Sequence, residues 1–210
     1  MTVTEVSTRS QRSQQNRAIR TREKLLQSGA LLFESVGFSA TTVSEIVDHA
    51  GTTKGGMYFH FPSKEALAQT LVTEFVKDLD EALLRVMTSG DSKGRLDDIF
   101  RVFLDLANMA SRSVKFRTGL MLTLDRNVNT NMAFNRFDRT IGELVTAATD
   151  RMELSPDCLE VMRLSWNLCS GFVGAVQTSG GGPDALQCHV RDMVESHVEY
   201  ARGKSYAESR

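Results

Sequence analysis

The residues best suited to chemistry lie together in the stretch GTTKGGMYFHFPSKEAL, residues 51–67. Hydroxyl, ammonium, phenol and imidazole groups follow one another there at short intervals. Proteins use such groups to hold DNA phosphates, which fix position, and to reach base edges, which specify sequence. The polar side chains in question are those of Thr52, Thr53, Lys54, Tyr58 and His60. This stretch predicts recognition of nucleic acid.

Adjacent glycines, Gly55 and Gly56, interrupt the same stretch. A glycine inside a helix costs about 1 kcal/mol relative to alanine, so two together weaken a short helix. We expect the missing side chains to let backbone N–H groups approach a phosphate at the start of a helix, where anions are favoured. Within this arrangement Lys54 has the length to reach guanine O6 and N7, and Tyr58 is expected to bond a phosphate.

Two flanking residues complete the predicted DNA contacts. Thr42 precedes the first helix of the motif, and Lys64 begins the helix after it and is expected to hold the DNA backbone. The full predicted set is Thr42, Thr52, Thr53, Lys54, Gly55, Tyr58, His60 and Lys64. The alternative is a tight helical corner filled by aromatic side chains, and we expect Phe59 and Phe61 to be buried in that way.

The sequence pattern predicts that nearly all of the elements that position these residues are helices. Only three prolines occur, and no alternating strand pattern stands out. Thr42-Val43-Ser44-Glu45 is a capping box, and Gly37 and Gly51 are placed to end helices. We expect helices at about 16–36, 43–50, 53–59, 63–88, 95–110, 113–125, 131–152, 156–179 and 184–203. The pair at 43–50 and 53–59, joined by a glycine turn, is a helix-turn-helix.

The overall charge does not indicate any class of binding partner, because 25 basic residues balance 26 acidic ones. The N-terminal region differs, because residues 9–24 hold six basic residues and the single acid Glu23. Such a basic arm can serve DNA binding, although a solvated tail explains the charge equally well. We expect residues 1–15 to be a disordered basic arm, residues 16–70 a helix-turn-helix domain, and residues 71–210 a second helical domain.

Several classes of protein are disfavoured. Three widely spaced cysteines without a CxxC motif fit reduced thiols and argue against a zinc site, so we expect neither metal nor cofactor. No signal peptide or membrane-spanning run is evident, which predicts a cytoplasmic protein without membrane contact. An enzyme is also disfavoured, because the P-loop, GxSxG, HExxH and GxGxxG motifs are all missing from the sequence.

With these residues in view, the stretch TTVSEIVDHAGTTKGGMYFHFPSKEAL closely resembles the DNA-binding segment of TetR-family repressors. The turn glycine, the Thr-Lys-Gly triplet, the Tyr-x-x-Phe spacing and the Lys-Glu helix start all fall in register over roughly residues 17–70. The departures are Val47 for a common alanine and Gly56 for a common small or apolar residue. The resemblance implies an all-α, TetR-like fold of about nine helices that binds double-stranded operator DNA.

One branch of that family is more similar still, namely the γ-butyrolactone autoregulator receptors and their pseudo-receptors. RTGLMLTLD, residues 117–125, resembles the RAG-x-RLA pattern of that branch, and NRFDRTIGEL, residues 135–144, resembles its segment around a ligand-covering tryptophan. Here Phe137 replaces the tryptophan, and Cys169-Ser170 replaces a glycine–hydroxyl pair. The resemblance implies a small hydrophobic effector, either a butyrolactone or an antibiotic-like metabolite.

Residues 71–210 are then expected to bind that effector and to form a homodimer through the last two helices. The apolar inventory of the second domain suggests a pocket, since ligand sites are mostly apolar with a few polar groups. The predicted ligand residues are Phe103, Leu106, Phe116, Leu120, Phe134, Phe137, Trp166, Cys169 and Ser170. Two alternatives remain open: these residues are ordinary core, or the protein binds DNA with no small-molecule inducer.

Overall fold

The computed structural model of the chain describes residues 3–88, 96–128, 131–150, 158–178 and 183–208. Within these ranges the side chains of 3–11, 87, 96–97, 131–135, 147–150, 158–162, 183 and 198–208 lie outside the description. The described residues form nine α-helices and no strand. In chain order these are α1 (Val3–Val36), α2 (Val43–Ala50), α3 (Lys54–His60), α4 (Lys64–Thr88), α5 (Leu96–Arg112), α6 (Val114–Leu122), α7 (Asn131–Asp150), α8 (Cys158–Thr178) and α9 (Pro183–Glu208).

The structure differs from the sequence prediction at the N-terminus. Residues 3–15, expected to be a disordered arm, continue α1, which begins at Val3 rather than near residue 16. The segment contains neither proline nor glycine. Its glutamines, arginines and glutamate have good helix propensity, so nothing in it breaks a helix that the core fixes further along. The basic residues of the predicted arm are therefore carried on helical backbone.

Local capping rules account for the helix-turn-helix. The Thr42 hydroxyl accepts from the Glu45 N–H at 3.2 Å and the Glu45 carboxylate accepts from the Thr42 N–H at 2.7 Å, which is the predicted capping box of α2. Gly51 ends α2 in the left-handed region at φ 62°, and Gly37 follows α1 at φ 86°. Thr53 caps α3 by accepting from the Gly56 N–H at 3.1 Å.

A first apolar cluster holds these helices together. Ile46, Val47, Ala50, Met57 and Phe61 are all buried in it, the last as predicted, against Leu25, Leu26, Ala30 and Phe33 of α1 and Leu67 and Leu71 of α4. The sequence spacing of Ile19, Leu26, Ala30 and Phe33 predicts one core face for α1, but Ile19 is 59% exposed. It lies six residues ahead of Leu25, before α1 reaches the other helices of the cluster.

A second apolar cluster packs parts of α4 to α9 together, and its members range from Phe75 to Val194. Helix α4 contributes to both clusters, with Leu67, Leu71 and Val72 in the first and Phe75, Leu79 and Ala82 in the second. Helix α6 also contributes to both, through Val114 and Leu122 on one side and Phe116 and Leu120 on the other. These two helices therefore connect the helix-turn-helix to the larger helical body.

Candidate DNA interface and effector site

Helix α3 presents one face to the protein and the rest to solvent. Met57 is fully buried, whereas Thr53, Lys54 and Gly55 are exposed and Tyr58 is 52% exposed. Thr52 and His60 are half-buried at the two ends of the helix. Six of the predicted DNA residues thus lie together on or beside one short helix, with hydroxyl, ammonium and phenol groups directed away from the core.

Phe59 corrects the sequence prediction. It was expected to be buried beside Phe61, but it is 78% exposed, while Phe61 is buried at 3%. Helical geometry explains the difference, since a residue two positions after the buried Met57 lies about 200° around the helix from it. That spacing was readable in the sequence. A large apolar side chain on the outer face of a recognition helix can contact thymine methyl groups, so Phe59 joins the candidate interface.

The surroundings of Gly55 and Gly56 differ in how much room they leave for a side chain. A Cβ at Gly56 would lie 2.7 Å from the Thr52 hydroxyl oxygen, so Gly56 fits the turn that leads into α3. A Cβ at Gly55 would meet only Thr53 Oγ1, at an ordinary 3.9 Å, and Gly55 does not have a positive φ. Among the residues that the structure describes, nothing requires glycine at position 55, although glycine has poor helix propensity. The requirement therefore points outward, to whatever α3 contacts.

Two predicted DNA residues are occupied within the protein. The Lys64 ammonium donates to the carbonyls of Phe38 and Thr41, both at 2.7 Å, and lies 4.4 Å from the centre of the Phe38 ring. The Thr42 hydroxyl donates to Glu45 at 2.8 Å within the capping box. Lys64 therefore fastens the start of α4 to the turn after α1. These bonds use two of the three N–H donors of the ammonium, and the contact of Lys64 with the DNA backbone stays a prediction.

The predicted effector residues come together in part. Phe103, Leu106, Phe116, Leu120, Phe137 and Cys169 are all buried in the second cluster. The aromatic rings in this cluster form a continuous path of edge contacts through five helices. The centroid distances are 5.7 Å for Phe103–Phe172, 6.3 Å for Phe172–Phe137, 6.1 Å for Phe137–Phe75 and 5.1 Å for Phe75–Phe116.

Phe75 is one ring in that path that the predicted ligand residues do not include. It lies on α4 between Leu71 and Leu79, both fully buried, and this four-residue spacing was the available signal. Because Phe75 touches both Phe116 and Phe137, it connects α4 directly to the predicted effector residues. A molecule entering this cluster would act on α4 without an intermediate element.

Trp166 and Ser170 were predicted to line the effector site, but the structure places both of them at the surface. Trp166 is 54% exposed and Ser170 is also exposed, so neither lines the aromatic cluster. Helix α8 turns Leu168, Cys169 and Phe172 inward, which places residues 166 and 170, four apart, on its outer face. The side chain of Phe134, the remaining predicted ligand residue, lies outside the described residues.

Cys169 is the buried thiol within the cluster. Burial, and then the negative charge of Asp138, raises the pKa of this thiol far above its ordinary value. The thiol is therefore protonated at neutral pH and acts as a small apolar group, not as a nucleophile. Asp138 accepts a hydrogen bond from the buried Ser165 hydroxyl at 3.1 Å, which ties α7 to α8 beside it.

The segment Arg117-Thr118-Gly119 joins α6 to its neighbours with three adjacent residues. The Arg117 guanidinium donates to both carboxylate oxygens of Glu34 on α1, at 2.6 and 3.2 Å, and to the Ala110 carbonyl at 2.6 Å. The buried Thr118 hydroxyl donates to the Ala30 carbonyl at 3.0 Å. A Cβ at Gly119 would lie 2.6 Å from the Leu71 carbonyl oxygen, so α6 and α4 are in contact through backbone.

The described residues contain no group of three or more metal-ligating side chains, and none of their helices is long and apolar enough to cross a membrane. Their cysteines, Cys169 and Cys188, are both free thiols.

Comparison with known proteins finds a family model that matches the region of the helix-turn-helix. Residues 25–71 match the family model described as bacterial regulatory proteins, tetR family. The A-factor receptor protein of Streptomyces griseus is 40% identical over 62 residues, which are 30% of this chain and 22% of that protein. The match thus spans less than a quarter of that relative's own length.

Solved structures resemble the chain over most of its length. The crystal structure of a gamma-butyrolactone receptor, an ArpA-like protein, covers 88% of this chain and 99% of its own chain with a TM-score of 0.68, at 24% identity. CprB from Streptomyces coelicolor, solved in complex with its biological operator sequence, covers 81% of this chain and 84% of its own, with a TM-score of 0.69 and 27% identity. The all-α fold is therefore TetR-like, as the sequence resemblance implies.

Proposed function

We propose that this chain, which carries the N-terminal DNA-binding domain of TetR-family regulators, is a transcriptional repressor that binds a pseudo-palindromic operator as a homodimer and is released by a small hydrophobic effector. The observation that carries the proposal is the outer face of α3. Lys54, Tyr58 and Phe59 are exposed there, around a glycine that the protein itself does not require.

The outer face of α3 combines two kinds of contact. Lys54 has the charge and length for a guanine edge, Tyr58 has a hydroxyl for phosphate, and Phe59 has an apolar surface for a thymine methyl group. The Thr53 hydroxyl accepts from Gly56 N–H and keeps its own proton for a phosphate. Such a set both fixes the register of the protein on the duplex and distinguishes base pairs.

A homodimer is proposed through the outer faces of α8 and α9. Trp166 is exposed on α8, and a Cβ at Gly174 on the same helix would meet nothing within 4 Å. Gly171 packs against Met193 of α9, which lets the two helices approach closely. Two copies would then present two α3 helices to half-sites about 34–36 Å apart, one turn of DNA.

Effector binding is proposed within the aromatic cluster around Phe137. A molecule inserted among these rings would displace Phe75 of α4 and Phe116 of α6, and both helices continue into the first cluster. The opposite side of α6 is tied to α1 through Arg117 and Thr118. An effector that prefers the displaced arrangement would shift the spacing of the two α3 helices and lower operator affinity.

For the class of effector we propose a γ-butyrolactone-type autoregulator or an antibiotic-like metabolite, with control of secondary-metabolite genes. The likeness of residues 117–125 and 135–144 to the receptor branch supports a small, largely apolar molecule. A buried phenylalanine at position 137 makes the cluster more apolar than a tryptophan would, because it has no indole N–H.

A second candidate is a DNA-binding regulator of the same fold with no small-molecule inducer. The specific observation in its favour is the edge-to-edge packing of the five rings, each at most 1% exposed. In that case the aromatic cluster is structural core, and the molecule is controlled through its abundance or through a partner.

A gel-shift experiment separates these possibilities. The probe is the DNA upstream of the protein's own gene, and the titrants are a butyrolactone mixture and, separately, an extract with the host's own antibiotics. Specific binding with release by either titrant supports the effector-responsive repressor and selects the effector class. Specific binding without release supports the second candidate. A full-length Lys54→Ala variant that binds as tightly as the wild type would contradict the assignment of α3.

A further inference from the structure

A crevice of about 360 Å³ lies where the helix-turn-helix meets the larger helical body, outside the aromatic cluster. It is bounded by the end of α1 and the turn after it, by α6 and the loop that follows, and by the end of α8. Its volume falls at the lower end of the range for small-molecule sites, and such sites favour boundaries between domains. None of the predicted effector residues lines it.

The floor of this crevice is apolar and rigid. Phe33 and Phe38 are both buried and meet edge to face, with ring centroids 5.3 Å apart. Leu122 and Val176 are buried beside them, and the half-buried Met121 completes the wall. An aromatic or aliphatic body of compact size matches this surface.

The rim of the crevice carries an uncompensated negative charge. Arg117 and Glu34 neutralise one another through two hydrogen bonds, and the third guanidinium bond of Arg117 goes to the Ala110 carbonyl. Asp125 also lines the crevice, and its two hydrogen bonds, from the backbone N–H and side-chain amide of Asn127, both use Oδ1. Among the described residues that line the site, Asp125 is the carboxylate without a cationic partner.

From this combination we propose that the crevice is a second small-molecule site, separate from the aromatic cluster, for a compact apolar molecule that carries an ammonium group. The apolar body lies on Phe33, Phe38 and Met121, and the ammonium donates to Oδ2 of Asp125. A carboxylate ligand is excluded, because Asp125 repels it and because the guanidinium of Arg117 already donates to Glu34 and to the Ala110 carbonyl. The occupant touches α1, α6 and α8 together, so it stabilises their present arrangement.

The test uses the full-length protein with labelled methionine methyl groups and two probes of similar size, 2-phenylethylammonium and 3-phenylpropanoate. The Met121 methyl resonance, assigned through Met121→Leu, reports the crevice directly. Saturable shifts of this resonance with the ammonium probe, and affinity at least about tenfold weaker for the carboxylate, are expected. No DNA is present, so this result does not depend on the repressor proposal.

Three variants locate the binding. Asp125→Asn removes the proposed partner of the ammonium and should weaken binding of the ammonium probe about tenfold. Gln177→Trp, at an exposed position on the rim, should obstruct the crevice without disturbing the core. Asp184→Asn removes an exposed carboxylate on α9 as a matched control and should change nothing. Absence of saturable shifts, equal affinity for both probes, or binding unaffected by Asp125→Asn and Gln177→Trp would each overturn the proposal.

Discussion

At the scale of single residues, Gly55 has the clearest functional meaning. It lies exposed in the first turn of α3, at a negative φ, with room for a side chain on the protein side. Its neighbour Gly56 has a reason within the protein, the nearby hydroxyl of Thr52. The sequence shows two equivalent glycines, and only the surroundings of each distinguish them.

Gly55→Ala is therefore expected to separate stability from recognition. Alanine should stabilise the fold by about 0.5–1 kcal/mol, because it restricts the unfolded chain and favours helix. It should weaken operator binding by about tenfold, or about 1.4 kcal/mol, because the added methyl group lies between the helix and DNA. Urea unfolding and fluorescence anisotropy with operator DNA measure the two effects. A variant with full operator affinity would show that position 55 does not face DNA.

Asp78 on α4 is a residue whose effect depends on pH. Burial, followed by the neighbouring carboxylates of Glu81 and Glu74, raises its pKa above the ordinary value. Ionised Asp78 thus destabilises the fold, fully so above its raised pKa, and the cost vanishes below the pKa of the unfolded chain. Asp78→Asn should raise the free energy of unfolding at pH 7 and not at pH 3. An equal gain at both values would contradict the electrostatic explanation.

At the scale of elements, the helix caps were predicted from the sequence, whereas the buried face of α8 was not. The capping box at Thr42 and the left-handed glycines at 37 and 51 follow from local rules, and the structure confirms them. Trp166 was expected among the effector residues, yet Leu168 and Phe172 determine which face of α8 is buried. The carbonyl partners of Lys64 lie more than 20 residues away in sequence, so no local pattern could predict these two hydrogen bonds.

Helix α6 is joined to α1 by the ion pair Arg117–Glu34, whose contribution to stability can be measured. In a double-mutant cycle of Arg117→Ala and Glu34→Ala, the coupling free energy should be about 1–2 kcal/mol, since the pair is bidentate and partly buried. The exposed pair Arg136–Asp80, at 2.6 Å, is a matched control and should give less than about 1 kcal/mol. Equal coupling in both cycles would remove Arg117 from any special role at this junction.

At the scale of the whole molecule, binding of a two-half-site operator requires two copies of the chain. Trp166 and Leu84 are both large apolar residues exposed in the single chain, at 54% and 61%, on α8 and α4. Trp166→Arg should convert the dimer to a monomer, because it introduces a charge into the proposed α8–α9 interface. Leu84→Arg, the control, should remain dimeric. Sedimentation of both variants checks this, and a dimeric Trp166→Arg protein would place the interface elsewhere.

A hydroxyl-radical footprint of the full-length protein on its operator would show directly whether two copies read two half-sites through α3. Two protected half-sites, with centres about one helical turn of DNA apart, are predicted for a dimer that presents two α3 helices. The same footprint should fade with Lys54→Ala at concentrations that saturate the wild type. A single protected half-site, or protection that Lys54→Ala leaves unchanged, would contradict the account of this protein as a dimer that reads DNA through α3.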